Sequence, residues 1–184
     1  MTMKNFLSFI FEICKIVLLA LIVVIPIRYF IFQPFIVRGA SMEPNFKNGD
    51  YLIVDEISYK FKELKRGEVV IFKYPKNPSY RFIKRIIGLP NETIKIEGTK
   101  IIISKNGKEE VLNETDYLSL QSYLGKMEIN LKGNEYFVLG DNRDASFDSR
   151  EWGILPREYI VGKAIFRAWP FNALATFFAP EYAK

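Results

Sequence analysis

One serine and one lysine stand in surroundings suited to nucleophilic chemistry. Ser41 lies in Phe35-Ile-Val-Arg-Gly-Ala-Ser-Met-Glu-Pro-Asn-Phe46, where an extended apolar run, Phe35 to Val37, meets a Gly-Ala-Ser corner. Gly39 and Ala40 are small enough for another backbone to approach the hydroxyl, and Pro44 keeps Glu43 out of a regular helical turn. A hydroxyl on such a corner can serve as a nucleophile or be an ordinary turn residue. The chain has no histidine, so a Ser-His-Asp triad and a histidine-ligated metal site are both excluded. A base for Ser41 would be a lysine, a carboxylate or the N-terminal amine.

Lys84 is a lysine in an apolar setting, within Arg81-Phe-Ile-Lys-Arg-Ile-Ile87. In a strand, Phe82, Lys84 and Ile86 share one face, and Ile83, Arg85 and Ile87 share the other. An exposed lysine titrates near ~10.4, and full burial can bring it to roughly 6–7, where a neutral amine can act as general base. The alternative is a lysine that snorkels to water. A third stretch, Gly140-Asp-Asn-Arg-Asp-Ala-Ser-Phe-Asp-Ser-Arg150, follows the apolar run Tyr136 to Leu139. Its alternating charges read either as a solvated loop or as one tied down by internal pairs, able to set Ser146 against a lysine.

Those three stretches need a scaffold, and 184 residues, nearly half of them hydrophobic and 15% aromatic, can supply one core with an appendage. Residues 6–32 are the most apolar, with Ile16 to Ile27 free of charge; a membrane span needs about 20 residues, and roughly 11–31 fits. Pro26 is tolerable late in such a helix. The alternatives are a buried soluble helix or a cleavable export signal, and the flanking positive charges do not set an orientation. After Gln33-Pro34 the composition turns to strands: Tyr51 to Val54, Glu68 to Phe72, Arg81 to Ile87, Thr93 to Ile96, Lys100 to Ser104, Glu135 to Leu139 and Ile160 to Phe166. Asn106-Gly107 is a further hairpin turn. The fold class expected is mostly β, an antiparallel sheet core with an inserted β-rich hairpin subdomain, preceded by one N-terminal transmembrane helix. Residues 1–32 form the tail and anchor, 33–90 and 135–184 the core, and 91–134 the insertion. The aromatic tail from Ala168 to Phe178 suits either a membrane interface or the core.

The net charge of +5 comes from scattered lysines and arginines, which argues against nucleic acid and is compatible with anionic lipid. A single cysteine, Cys14, excludes an intrachain disulfide and a multi-cysteine metal site. Neither a metal nor a cofactor is expected.

Taken together, Gly39 to Pro44, Arg81 to Pro90 and Gly140 to Arg150 resemble, in order and spacing, bacterial type I signal peptidases. The likeness includes the helix ending in Phe32-Gln-Pro-Phe35 and is weakest over 91–134. It implies a membrane-bound serine endopeptidase that removes signal peptides from exported preproteins after small-x-small residues. In that reading Ser41 is the nucleophile, Lys84 the base, and Ser146 the hydroxyl that orients the amine. Asp148 and Arg150 brace the loop, and Asp141 pairs with Arg85. Ser41 N–H forms half of an oxyanion hole, and Gly39 stands where some members carry a second, hydroxyl donor. Substrate-binding positions are Phe35, Val37, Met42, Leu52, Phe82 and Ile83. Asn91-Glu92 departs from the usual Gly-Asp. Expected partners are preprotein signal peptides and membrane lipid, with a possible partner in the protein export machinery. The implied location is the cytoplasmic membrane, single-pass, with the catalytic domain on the extracytoplasmic side. Two competing readings are a self-cleaving Ser-Lys protease of the repressor type, and a membrane-anchored β module that binds a partner without chemistry.

Overall fold

The computed structural model describes residues 3–30, 32–118, 122–180 and 182. Helix α1 runs Met3–Phe30. No helix among the described residues is long and apolar enough to cross a membrane. Within the expected span, position 31 and the side chains of 23 and 25–30, Pro26 included, lie outside the described residues.

β-Branched and aromatic runs separated by turn residues form two antiparallel sheets. The larger is built from β1 (Phe32–Ile36), β2 (Tyr51–Asp55), β3 (Val69–Tyr74), β4 (Asn77–Gly88), β9 (Glu135–Leu139), β10 (Leu155–Pro156) and β11 (Ile160–Trp169), in the order β1-β2-β11-β3-β4-β9-β10. A short strand, β12 (Ala175–Thr176), pairs with β11. The smaller sheet has β5 (Thr93–Glu97), β6 (Lys100–Lys105), β7 (Lys108–Val111) and β8 (Lys126–Asn130), in the order β7-β6-β5-β8. Asn106 and Gly107 both have positive φ, 52° and 75°, as the two-residue turn joining β6 to β7 requires.

Central strand β4 lies between β3 and β9, with Lys84 opposite Val70 and Arg85 opposite both Val69 and Leu139. Its alternation sorts the core. Phe82 and Ile86 pack with Val70, Phe72, Tyr136 and Trp152, and Ile83 packs with Val37, Met42, Leu52 and Ile71. A third cluster joins the two sheets: Ile87, Phe137 and Leu139 of the larger meet Ile94, Ile96, Ile101 and Ile103 of the smaller.

Several elements depart from the expectation, among them the short strands β10 and β12. β1 continues through Pro34, which is admissible because β1 is an edge strand and needs no outward donor. Lys126-Met-Glu-Ile-Asn130 also forms a strand; its alternating half-buried and exposed residues are those of an edge strand with one wet face. Asn91 takes the left-handed geometry its short amide tolerates, φ 64°. Glu92 is buried, accepting both Arg66 guanidinium nitrogens at 2.9 Å and the Leu89 N–H at 2.9 Å.

Phe137 is fully buried between the sheets whereas Val111 is exposed on edge strand β7. Phe137→Ala should therefore cost about 3–5 kcal/mol of stability, and Val111→Ala about 0.5 kcal/mol or less, measured by denaturant unfolding.

Candidate active site

Ser41 follows β1 on a corner whose backbone is fixed from two directions. Val37 and Asp50 pair across the base of the loop, Val37 N–H donating to Asp50 O at 2.9 Å and Gly49 N–H to Val37 O at 2.9 Å. From the other side Asn142 donates its N–H to Ser41 O at 3.0 Å and its Nδ2 to Ala40 O at 3.1 Å. Gly39 has φ +87°, a conformation that favours glycine.

Lys84 reaches this corner from β4, its Nζ 2.7 Å from Ser41 Oγ. The residue is only 4% exposed, and the amine lies 5.6 Å from the centre of the Phe82 ring. Burial drives the Lys84 pKa down to about 8, and the charges of Asp148 and Asp141 partly oppose the change. Neither aspartate forms an ion pair with Lys84 among the described residues, because arginines hold both. Arg85 donates Nε to Asp141 Oδ1 at 2.8 Å and Nη2 to Asp141 Oδ2 at 2.6 Å. Asp148, with no exposed surface, accepts from Gly140 N–H and from Arg150 N–H, Nε and Nη2.

Ser146 sits inside the same loop, close to Gly140 and the Ser41 carbonyl; a Cβ at Gly140 would collide with both. Its Oγ is buried without a hydrogen-bond partner among the described residues, so its expected contact with Lys84 is not made. Gly39 donates its N–H to Asn48 Oδ1 at 3.0 Å, so it offers neither a hydroxyl nor a free N–H to an oxyanion. Ser41 N–H has no backbone partner among the described residues.

A cleft of about 370 Å³ opens beside Ser41 and Lys84, with Phe35, Ile36 and Arg38 on one side and Ser79 to Ile83 on the other. Of the expected substrate-binding residues, Phe35, Phe82 and Ile83 line it. Val37, Met42 and Leu52 do not, and this corrects their expected place on its wall: they are 0–1% exposed within the core cluster beneath. The physical reason is depth: Phe35 lies opposite Leu52 and packs, half-buried, at the edge of the same cluster, so it meets the cleft, while Val37, Met42 and Leu52 are closed off inside that cluster.

Several residues that hold the site were missed. Arg143 donates to both Glu114 carboxylate oxygens, at 2.9 and 2.5 Å, and Tyr117 Oη donates to Glu114 Oε1 at 2.6 Å. Asn45 Nδ2 donates to Tyr117 O at 2.8 Å and to Asp141 Oδ2 at 2.9 Å. The spacing of Glu114 and Tyr117, between two strands of the smaller sheet, carries no signal that it faces this loop.

An antiparallel β protein with a serine hydroxyl against a buried lysine, and no histidine, is thus the class defined by fold and site. Residues 10–169 match the family described as signal peptidase, peptidase S26. The chain is 35% identical over 179 residues to signal peptidase IB of Staphylococcus aureus, covering 90% of this chain and 92% of that one. It is 38% identical over 168 residues to signal peptidase I of Leptolyngbya laminosa, covering 87% and 80%, and 37% identical over 164 residues to a probable signal peptidase I-2 of Synechocystis, covering 86% and 73%. A crystal structure of a signal peptidase I from Enterococcus faecalis aligns over 55% of this chain and 97% of that one, with 27% identity and a TM-score of 0.46. The chain belongs to the signal peptidase family, peptidase S26, and is a signal peptidase I enzyme. The non-catalytic binding module and the repressor-type protease are thereby set aside.

The Lys84 site also has a stability signature. Its folded pKa, about 8, lies below the ordinary 10.5. Between those values the unfolded chain binds more protons, so stability rises with pH across that window, and the penalty of burying the charge is fully present below it. Lys84→Met removes a penalty of about 3 kcal/mol. Its advantage over the parent protein should shrink by about that amount between about pH 7 and about pH 11, followed by denaturant unfolding.

Proposed function

We propose that Ser41 and Lys84 form the reacting dyad of this signal peptidase, in a chain anchored by α1 and acting on small-x-small sites. The observation that carries the reading is the 2.7 Å contact between Ser41 Oγ and a Lys84 amine whose pKa burial has lowered to about 8. Deprotonated Lys84 accepts the Ser41 hydroxyl proton as Oγ attacks the scissile carbonyl. The tetrahedral oxyanion takes the Ser41 N–H. The Lys84 ammonium then protonates the leaving amine, and the same amine activates the water that hydrolyses the acyl-enzyme.

The cleft supports an extended substrate. β1 is an edge strand, so its outer backbone groups are open to strand addition, and Phe35, Phe82 and Ile83 leave room at the serine for small side chains. Helix α1 supports the anchor. Ile16, Val17, Leu18, Leu19, Leu21 and Ile22 are 46–67% exposed, and at ~100° per residue they cover the whole circumference. Over Ile16 to Ile22 the helix is apolar on every side, which suits lipid. The single-pass arrangement, with the β portion on the extracytoplasmic side of the cytoplasmic membrane, and the signal-peptide and lipid partners follow from this reading.

The full chain, incubated with a preprotein, should cleave it in trans at rates that rise with pH through about 8. Ser41→Ala should be inactive. So should Lys84→Arg, whose guanidinium stays protonated above about pH 12. Near-parental cleavage by Lys84→Arg, or activity appearing only near about pH 10, where unperturbed lysines titrate, would remove Lys84 from the mechanism.

Cleft width makes a separate point. Parent enzyme should cut after alanine and reject leucine or phenylalanine, and Ile83→Ala should relax that choice by opening the wall. Leu52→Ala, under the floor, should mainly lower stability, by about 2–5 kcal/mol. Equal cleavage of alanine and phenylalanine substrates by the parent would refute this pocket.

A further inference from the structure

The segment between β7 and β8 does more than cover the core. Glu114 and Tyr117 are both 8% exposed, and Glu114 forms a two-point ion pair with buried Arg143. Arg143 also donates Nε to Gly140 O at 3.0 Å, closing the turn that carries Asp141 and Asn142. Asn142 in turn holds the carbonyls of Ala40 and Ser41. A second route is shorter: Tyr117 O accepts from Asn45, on the turn that follows Ser41, and the Tyr117 ring lies 4.1 Å from the Arg85 guanidinium. Both routes run from the smaller sheet to the backbone that presents the nucleophile.

We propose that Glu114 and Tyr117 are positioning residues for the peptidase reaction: through Arg143 and Asn142, and through Asn45, they fix the Ser41 corner against Lys84. The proposal rests on reading Ser41 and Lys84 as the reacting pair. Neither residue touches the cleft, so their loss acts on turnover and leaves substrate binding largely intact. A displacement of the order of 1 Å at a reacting centre costs about a hundredfold in rate.

The test uses the full chain in detergent with a preprotein substrate. Glu114→Gln weakens the pair. Glu114→Leu combined with Arg143→Leu removes both charges and refills the space, an exchange that often preserves or raises stability. Tyr117→Phe keeps the ring against Arg85 and deletes only the hydroxyl bond to Glu114. The double variant should keep its thermal midpoint and lose about ten- to a hundredfold in kcat with KM within about twofold. Tyr117→Phe should lose several-fold in kcat at unchanged KM. A merely structural role would lower the midpoint and leave kcat per folded molecule unchanged. A folded double variant with parental kcat would overturn the proposal; should that variant not fold, parental kcat in Glu114→Gln, which weakens the pair to Arg143, would do so. Ser41→Ala and Lys84→Ala in the same assay separate the two claims. If both are inactive while the Glu114 and Tyr117 variants turn over normally, only the positioning role is lost. If either stays active, the reacting pair itself is wrong.

Discussion

The site depends on keeping one amine out of water and out of reach of a carboxylate. Desolvation lowers the Lys84 pKa; a direct aspartate partner would raise it. Two aspartates lie close enough for their charges to act on the amine, and a free carboxylate there would stabilise the ammonium and disarm Lys84 as the proposed base. Each is instead held by an arginine, Asp141 by Arg85 and Asp148 by Arg150. Adjacent residues of β4 carry the two halves of this arrangement. Because neighbours on a strand face opposite ways, Lys84 can point to Ser41 while Arg85 takes Asp141 from the other side. Central placement of β4, paired on both edges, makes both burials possible.

That logic bears on what could be read beforehand. Alternation along Arg81 to Ile87 sorted the apolar residues to the faces they occupy, and the absence of histidine narrowed the base to a short set. Ser41, Lys84 and the 140–150 loop could be brought together only through the resemblance, since partners 43 residues apart or 102 apart have no local signature. The Lys84 pKa falls less than full burial alone allows because the charges of Asp148 and Asp141 oppose the change, and local pattern cannot show where those aspartates come to rest. Val37, Met42 and Leu52 were assigned to the cleft wall because apolar residues near a nucleophile look alike whether they face substrate or core. Only the depth of packing separates the two, since Phe35 and Leu52 pair on one face and differ in how far each is covered. β8 escaped notice since Lys126-Met-Glu-Ile-Asn130 alternates too briefly and too polar a pattern to stand out from a loop.

The same constraint explains why small residues and unmet donors gather at Ser41. A buried hydroxyl with no partner costs about 1–3 kcal/mol, so Ser146 Oγ is a liability unless it serves the site. Gly140 is the residue that lets it approach, since any Cβ there would strike both Ser146 and the Ser41 carbonyl. The Ala40 carbonyl, in the same peptide plane as the Ser41 N–H, accepts from Asn142 Nδ2, which fixes the direction of that N–H. Of the two donors that this corner could have aimed at an oxyanion, Gly39 N–H is spent on Asn48 and Ser41 N–H is not. On the proposed Ser41–Lys84 mechanism, oxyanion stabilisation leans on a single backbone donor whose aim is set from outside the corner. That makes the rigidity supplied by the 140–146 loop, and by Arg143 beneath it, matter more here than in a site with a second hydroxyl to share the charge.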